Sequence, residues 1–166
     1  MFSVIFPGQG SQLVGMGKDL HAKYSLVQDL FKEADDTLGF SISNLILNGP
    51  KEELDLTENT QPAIFLLSYS IFKLIKEEFK IDLDKAKFYA GHSLGEYSAL
   101  TAAGSLSFSD TLKILKIRGN AMQNSVPLLP PWALTSVVMS ASSLTPLSQP
   151  LPRKDIERSS PESGAA

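Results

Sequence analysis

Apolar and polar positions along residues 1–124 follow two kinds of pattern, and each kind predicts a different element. Two short runs rich in apolar and β-forming residues, over 2–6 and 87–90, predict β-strands, and the first of these is expected to be buried. A run with helical spacing begins at Ser25, which can cap a helix, and is stopped by Gly39. The apolar face of this helix consists of Leu26, Leu30, Phe31, Ala34 and Leu38. Strands and amphipathic helices are therefore both expected in this part of the chain.

The longest periodic segment comes after a short polar stretch. It predicts a helix that begins at Thr60 or Gln61 and ends near Phe79. Pro62 then falls in the first turn. Proline is tolerated there, because N–H groups in the first turn have no acceptor within the helix. The inward-facing positions of this helix are Ile64, Leu67, Ile71, Leu74 and Ile75.

Two further helices are predicted towards the end of this region. One starts at about Glu96, directly after the second strand and a glycine-flanked turn, and the other starts near Ser107. Ser107 and Asp110 match a capping box. The apolar stripe of the last helix contains Leu112, Leu115 and Met122. Short strands followed by loops and flanking helices indicate an α/β fold with a parallel sheet.

The composition changes sharply near residue 124. All nine Phe and ten of the eleven Gly lie in 1–124, whereas 125–166 holds seven of the ten Pro and nine Ser. Prolines at this density block continuous helices and central strands. We therefore expect one domain over 1–124 and a divergent, poorly ordered Pro/Ser-rich tail over 125–166.

Charge and cysteine content exclude several classes of function. The chain has 15 basic and 18 acidic residues and no cysteine. This balance offers no basic surface for nucleic acid or for an anionic membrane. No apolar run approaches the roughly 20 residues that span a bilayer, and the first residues lack a basic signal-peptide region. A cytoplasmic protein without disulfides or thiolate metal sites is expected.

Residues 91–95 match the nucleophile-elbow pattern, in which glycines flank a serine. In that pattern a sharp strand-to-helix turn lifts the hydroxyl of the serine, here Ser93, above the edge of the sheet. The predicted strand before it and the helix after it supply the required context. Such a turn also places the N–H of Leu94 at a helix N-terminus, where it can stabilise an oxyanion. The alternative is a Gly-Ser loop with no reactive role.

A second oxyanion donor is expected from another loop at the same sheet edge. Gly8-Gln9-Gly10 follows the first predicted strand, and its flanking glycines would let the Gln9 amide approach a substrate. The loop does not match G-x-G-x-x-G, and no P-loop lysine follows it. An ordinary strand-to-helix turn remains the alternative.

Four ordered blocks of sequence resemble the malonyl-CoA:acyl carrier protein transacylase family. They are Phe6-Pro7-Gly8-Gln9-Gly10-Ser11-Gln12 with Gly15-Met16-Gly17, Asn59-Thr60-Gln61-Pro62-Ala63, Gly91-His92-Ser93-Leu94-Gly95-Glu96-Tyr97-Ser98-Ala99-Leu100, and Arg118-Gly119-Asn120-Ala121-Met122-Gln123. The similarity covers residues 1 to about 127.

The resemblance implies roles for individual residues. Ser93 would attack the malonyl thioester of coenzyme A and hold the acyl group as an ester, which the phosphopantetheine thiol of acyl carrier protein would then take. Gln9 and Leu94 would offer backbone N–H groups to the oxyanion, and Gln61 would line the site. His92, adjacent to Ser93 on a tight turn, would pack or hydrogen-bond there rather than act as the base. The coenzyme A thioester and acyl carrier protein are the expected partners, with no metal or cofactor.

Arg118 is the only arginine among the twelve cationic residues of 1–124. A planar, permanently charged guanidinium is the best match for a buried carboxylate, such as the free end of a malonyl group. This chemistry agrees with the role that the resemblance implies for Arg118. The alternative is a helix-end arginine that pairs with carbonyls or with an exposed acid.

A general base for the serine is the missing component. The chain has two histidines, His92 and His21, and His21 lies in a polar, helix-like stretch where a surface role is expected. In the family the base is a histidine well C-terminal to the serine, beyond a small ferredoxin-like subdomain inserted after the Arg118 helix. Neither that histidine nor that subdomain is found in this sequence. The expected fold is therefore a partial α/β hydrolase-like acyltransferase domain, truncated and lacking that subdomain.

Three interpretations follow from the sequence. In the first, the chain is an acyltransferase whose gene is broken or split, with the rest encoded separately as a C-terminal fragment. In the second, it is a serine hydrolase or thioesterase that uses the same elbow. In the third, it is a non-catalytic remnant that binds coenzyme A esters or acyl carrier protein, or that has no function.

Overall fold

The computed structural model describes residues 2–125 of the 166-residue chain. The predictions for the Pro/Ser-rich tail fall almost entirely on residues 126–166, outside the described range. Within that range the elements, in chain order, are β1 (Ser3–Phe6), α1 (Lys18–Lys23), α2 (Ser25–Leu38), α3 (Ile42–Asn48), α4 (Lys51–Leu54), α5 (Thr57–Glu77), a 3-10 turn (Leu83–Lys85), β2 (Phe88–Gly91), α6 (Leu94–Ala102) and α7 (Phe108–Ser125).

The two strands lie side by side and parallel, with Ser3 opposite Phe88 and Phe6 opposite Gly91. Strand β1 begins one residue after the start of the predicted run over 2–6, and β2 is displaced by one residue from the predicted run over 87–90. The prediction that the first strand is buried is wrong for one of its faces, where Ile5 is exposed. Because parallel strands end at the same edge of a sheet, the loop after β1 and the turn after β2 are neighbours. The α/β class is confirmed, with a small parallel sheet and mostly helices.

Two apolar clusters hold the described residues together. The larger one lies among α2, α3, α5 and α7, and its fully buried side chains include Phe31, Ile46, Phe65 and Leu112. The smaller one joins the sheet to α5 and α6, through Phe6, Phe72 and Ala99. Helix α5 contributes to both clusters, so it connects the helical layer to the strands.

Helix α5 begins at Thr57, three residues before Thr60, the earlier of the two predicted starts. The carbonyl of Leu56 accepts from the N–H groups of Asn59 and Thr60, both at 2.8 Å, which extends the helix backwards. Pro62 therefore lies in the second turn rather than the first. The local sequence does not predict this start, because the Thr57 N–H is satisfied by a residue on α7.

The prediction of a short polar stretch between α2 and α5 is wrong. Those residues form α3 and α4, and Ile42, Ile46 and Leu54 among them are fully buried. Helices of four and seven residues are too short to display a complete apolar period, so the pattern is not visible in the sequence.

The cap predicted at Ser25 is also absent. Ser25 is the first residue of α2, and the extended Tyr24 precedes it without any side-chain cap bond. Tyr24 also ends α1, and its carbonyl accepts from the N–H groups of Val27 and Gln28. The helix therefore starts one residue early because α1 and α2 share a single connecting residue. Gly39 ends α2 in the left-handed conformation, with φ at 72°, as predicted.

One face of the sheet and the outer side of β1 are uncovered in the described residues. Ile5 is 76% exposed and Phe88 is 60% exposed, and both belong to the same face. A groove of about 560 Å³ runs between β1 and α5, and its walls include Leu67, Ile71 and Ile75. All three were predicted to face inward. That prediction is wrong for Ile71, which is exposed, whereas Leu67 and Ile75 are half-buried and Ile75 also packs against the smaller cluster. Parallel sheets are normally covered on both faces, so these surfaces are unusual for an α/β protein.

None of the helices within residues 2–125 is long and apolar enough to cross a membrane.

Candidate active site

The turn between β2 and α6 has the strained backbone of a nucleophile elbow. Ser93 lies at φ 54° and ψ −111°, a conformation that residues other than glycine rarely adopt. The turn is closed by hydrogen bonds from the Gly95 N–H to the His92 carbonyl at 2.9 Å and from the Glu96 N–H to the Ser93 carbonyl at 3.1 Å. The side chain of Ser93 is consequently exposed at the carboxyl end of the sheet.

Glycines on both sides of Ser93 allow this turn to pack tightly. A Cβ at Gly91 would lie 2.0 Å from the carbonyl of Gly95, and a Cβ at Gly95 would lie 2.5 Å from the carbonyl oxygen of Phe6. Real Cβ atoms do not approach backbone atoms so closely. The two glycines therefore let the start of α6 press against the ends of both strands.

The loop after β1 lies against the same turn. A Cβ at Gly8 would be 2.6 Å from Nδ1 of His92, so the His92 ring and the Gly8 backbone are in contact. His92 is exposed, and within residues 2–125 its side chain makes no hydrogen bond to Ser93. The structure thus brings the two predicted oxyanion loops together, with His92 between them.

In the part of the chain that the structure describes, the amides of Gln9 and Leu94 are available as donors. Within residues 2–125, neither backbone N–H has a hydrogen-bond acceptor. Leu94 is the first residue of α6, so its N–H is one of the donors that a helix leaves unused and that the helix dipole reinforces. The side chain of Gln9 points elsewhere and donates from Nε2 to the Thr57 Oγ1 at 3.4 Å.

A second contact fixes the loop beyond Gln9. The side chain of Gln12 donates to Oδ1 of Asp55 at 3.0 Å, and Lys51 pairs with the other carboxylate oxygen. Hydrogen bonds from Lys51 and from Gln12 hold the pKa of Asp55 below its usual range. The loop is thereby tied to the end of α4.

Arg118, on α7, reaches the predicted nucleophile. Its Nη2 donates to the Ser93 Oγ at 3.0 Å, and its Nη1 donates to Oε1 of Gln61 at 2.5 Å. Gln61 is fully buried on α5, and its Nε2 donates in turn to the sulfur of Met122 at 3.3 Å. The guanidinium also lies over the ring of Tyr97, 5.7 Å from the ring centroid.

No carboxylate within residues 2–125 pairs with Arg118. Its positive charge is half-buried and is oriented by a neutral amide, a hydroxyl and an aromatic ring. Such a guanidinium retains both its charge and free N–H groups for an anion. The arrangement can hold a negatively charged group close to the Ser93 hydroxyl.

Two neighbours of this arrangement, Tyr97 and Met122, are not predicted as site residues from the sequence. Their distance along the chain from Ser93 and from Arg118 is the feature of the sequence that could have identified them. Tyr97 lies four residues after Ser93, and Met122 lies four residues after Arg118, so each is one helical turn further along the same face.

His21 is not part of this arrangement. It lies on α1, half-buried, with its ring tilted against Phe31 at a centroid distance of 5.1 Å. The prediction of a plain surface role is therefore incomplete, because the ring also packs against the helical layer.

Comparison with known proteins is consistent with this geometry. Residues 3–134 match the acyl transferase domain family. The chain is 48% identical over 126 residues to a malonyl CoA-acyl carrier protein transacylase of Haemophilus influenzae, covering 76% of this chain and 40% of that protein. It is 49% identical over 123 residues to the protein of the same name from Bacillus subtilis, covering 74% and 38%.

Solved structures give the same result. The fold matches the malonyl CoA-acyl carrier protein transacylase of Coxiella burnetii with a TM-score of 0.73 and 35% identity, covering 86% of this chain and 47% of that one. It also matches a complex of a type II PKS acyl-carrier protein with its malonyl-transacylase, with a TM-score of 0.71, 42% identity and coverage of 76% and 40%.

The chain spans about 40% of the length of the Haemophilus relative. The residues of this chain that match the family model, 3–134, include the elbow and Arg118. The family match covers well over half of the chain itself. The chain therefore belongs to the acyl transferase domain family.

Proposed function

We propose that this chain carries the acyl-binding half of a malonyl-CoA:acyl carrier protein transacylase. Ser93 takes a malonyl group from coenzyme A, and the phosphopantetheine thiol of acyl carrier protein removes it. The observation that carries the proposal is the Arg118 guanidinium, which donates to the Ser93 Oγ and has no carboxylate partner within the described residues. A malonyl thioester supplies a carbonyl for the serine and a carboxylate for the arginine.

Bond changes in the first half-reaction follow from this placement. The Ser93 Oγ attacks the thioester carbonyl carbon, and the carbonyl oxygen becomes an oxyanion beside the amides of Gln9 and Leu94. Collapse of this intermediate breaks the carbon–sulfur bond, leaves malonate esterified on Ser93 and releases coenzyme A, whose sulfur takes the proton from the serine. Donors held in place before the reaction stabilise the oxyanion without reorganisation.

The second half-reaction repeats these steps with a different thiol. The phosphopantetheine thiol attacks the ester, and Ser93 recovers its proton. Acyl carrier protein is proposed as the acceptor because the matched relatives are named for it and because one matched structure is a complex with an acyl-carrier protein. A serine hydrolase or thioesterase would use the same elbow and would pass the acyl group to water.

A second candidate, a chain with little activity of its own, is favoured by the surroundings of Ser93. Within residues 2–125 the hydrogen bond to the Ser93 Oγ comes from Arg118, and neither histidine of the chain bonds to it. An arginine cannot accept the proton of the serine, because it is permanently charged. The chain then acts as one half of a split enzyme or as a non-catalytic remnant that binds coenzyme A esters.

The groove between β1 and α5 fits the split-enzyme alternative. We assign its occupant as a polypeptide corresponding to the rest of the relatives, since the chain covers only 40% of the length of the Haemophilus relative and 38% of the length of the Bacillus one. Such a segment would add a strand beside β1 and cover the exposed Ile5 and the apolar wall formed by Ile71. The catalytic histidine and the ferredoxin-like subdomain that the resemblance implies would come with that segment.

The role of Arg118 is tested by substitution. Arg118→Ala is expected to slow acylation of Ser93 by malonyl-CoA by about 10- to 100-fold, the range for losing a hydrogen bond to a charged group. The rate of acylation by acetyl-CoA should change little, because an acetyl group has no carboxylate that could pair with Arg118. Intact-mass spectrometry of single-turnover reactions measures both rates.

Arg118→Lys serves as the matched control. Lysine keeps the charge but loses the planar fork, so a partial loss with malonyl-CoA is expected. Equal losses with both acyl groups in Arg118→Ala would mean that the arginine is structural. Loss of the label with release of free malonate, even when acyl carrier protein is present, would favour the hydrolase.

A further inference from the structure

Helix α5 has no N-terminal cap of its own. The residue before it is Leu56, whose side chain cannot accept a hydrogen bond, and the N–H of Thr57 has no partner inside the helix. That N–H donates instead to Oε1 of Gln123 at 3.0 Å. Gln123 is on α7, 66 residues further along the chain. One helix therefore caps another.

The same face of α7 makes direct backbone contact with this first turn. Gly119 is one helical turn before Gln123, and a Cβ there would lie 2.6 Å from the Cα of Glu58 and 2.7 Å from the carbonyl oxygen of Thr57. One residue earlier in the same turn of α7 is Arg118. The contact between the two helices thus adjoins the residue that reaches Ser93.

The first two turns of α5 also contact two other parts of the candidate site, the loop after β1 and Arg118. The Oγ1 of Thr57 accepts from the Gln9 side chain at 3.4 Å. One turn further along α5, Gln61 accepts from Arg118 at 2.5 Å. Any change in the spacing of α5 and α7 would move Gln61 relative to Arg118.

We propose that Gln123 is a positioning residue that caps α5 and thereby sets the spacing of α5 and α7. That spacing fixes how the guanidinium of Arg118 lies against Gln61 and Ser93. The consequence for malonyl selectivity rests on the proposed function, whereas the cap and the restraint of Arg118 do not. No other residue within the described range accepts from the Thr57 N–H, so the cap depends on Gln123 alone.

Three variants of the full chain separate positioning from general stability. Gln123→Leu keeps the approximate volume and removes the acceptor. Gln123→Glu keeps an acceptor and adds a negative charge, which a helix N-terminus favours. Asn124→Leu changes the exposed neighbouring residue and controls for a new apolar side chain on α7.

The first measurements need no substrate. Hydrogen exchange of the Thr57 amide is expected to be about fivefold faster in Gln123→Leu, which is the effect of losing an N-cap of typical strength. Nitrogen-15 NMR of the Arg118 side chain should show a restrained guanidinium in the parent chain and faster rotation in Gln123→Leu. Gln123→Glu and Asn124→Leu should behave as the parent chain does. Unchanged exchange and rotation in Gln123→Leu would overturn the proposal.

The second measurement compares malonyl-CoA with acetyl-CoA in acylation of Ser93. The ratio of the two rates is expected to fall by about 10-fold in Gln123→Leu, since a displacement of about 1 Å can reduce a rate by up to 10²-fold. Gln123→Glu should restore the ratio. A ratio that stays at the parent value in Gln123→Leu, or that falls equally in Gln123→Glu, would contradict the positioning role. If the parent chain takes no acyl group, the proposed function fails, and the substrate-free measurements decide the inference by themselves.

Discussion

The 166-residue chain should transfer malonyl groups to acyl carrier protein at least about 10⁴-fold more slowly than a completed version. In the completed version, residues after 127 are replaced by the continuation of a matched transacylase. A positioned general base contributes about 10²–10⁴-fold, and a misplacement of about 1 Å can cost a further 10²-fold. Both deficits are expected here, because Ser93 has no base beside it in the described residues and the sheet is uncovered on one face. A continuous assay of coenzyme A release measures the two rates.

A third protein separates these two deficits. The completed version with its catalytic histidine replaced by alanine keeps the full fold and loses the base. It should lie between the other two, with a rate about 10²–10⁴-fold below that of the completed version. Equal rates for the 166-residue chain and the completed version would show that a base is present in the chain itself. That result would mean that Ser93 does not depend on a base supplied by another polypeptide.

The second large effect is expected from Gly91→Ala. The new Cβ would lie 2.0 Å from backbone atoms of Gly95, which cannot move aside as a flexible side chain would. We expect a loss of at least about 3 kcal/mol in the free energy of unfolding, the upper end of the usual cost of overpacking. Whatever fraction stays folded should acylate about 10²-fold more slowly, because the elbow must shift. Thermal unfolding and single-turnover acylation measure the two effects.

Ala103→Gly is the comparison variant for this experiment, since Ala103 is exposed just after α6, at the end of the helix opposite to Ser93. It should acylate at the parent rate. A stable Gly91→Ala protein with parent acylation would mean that the turn around Ser93 is not as tight as the structure has it.

Much of the site could be predicted from the sequence because its parts are local. The apolar runs before Gly8 and Gly91 predict two strands, and strands of a parallel sheet bring the loops that follow them to the same edge. Glycines on both sides of Ser93 predict the sharp turn. The adjacency of Gln9 and Leu94 to this turn then follows from the fold class alone.

Other features depend on contacts between distant residues, and local patterns do not contain them. The start of α5 at Thr57 depends on Gln123, which belongs to another helix. The contact of Arg118 with Gln61 depends on how closely α5 and α7 approach. The short helices α3 and α4 escape prediction for a different reason, because neither completes the apolar period that identifies a helix.

The position of a covalently bound malonyl group shows whether Ser93 is the nucleophile. The purified chain is incubated with malonyl-CoA, its intact mass is recorded over time, and the modified peptide is sequenced. We expect that the chain slowly gains a single malonyl group, that the group lies on Ser93, and that Ser93→Ala gains none. A malonyl label that persists in Ser93→Ala, or that lies on another residue of the parent chain, would contradict the claim that Ser93 is the nucleophile.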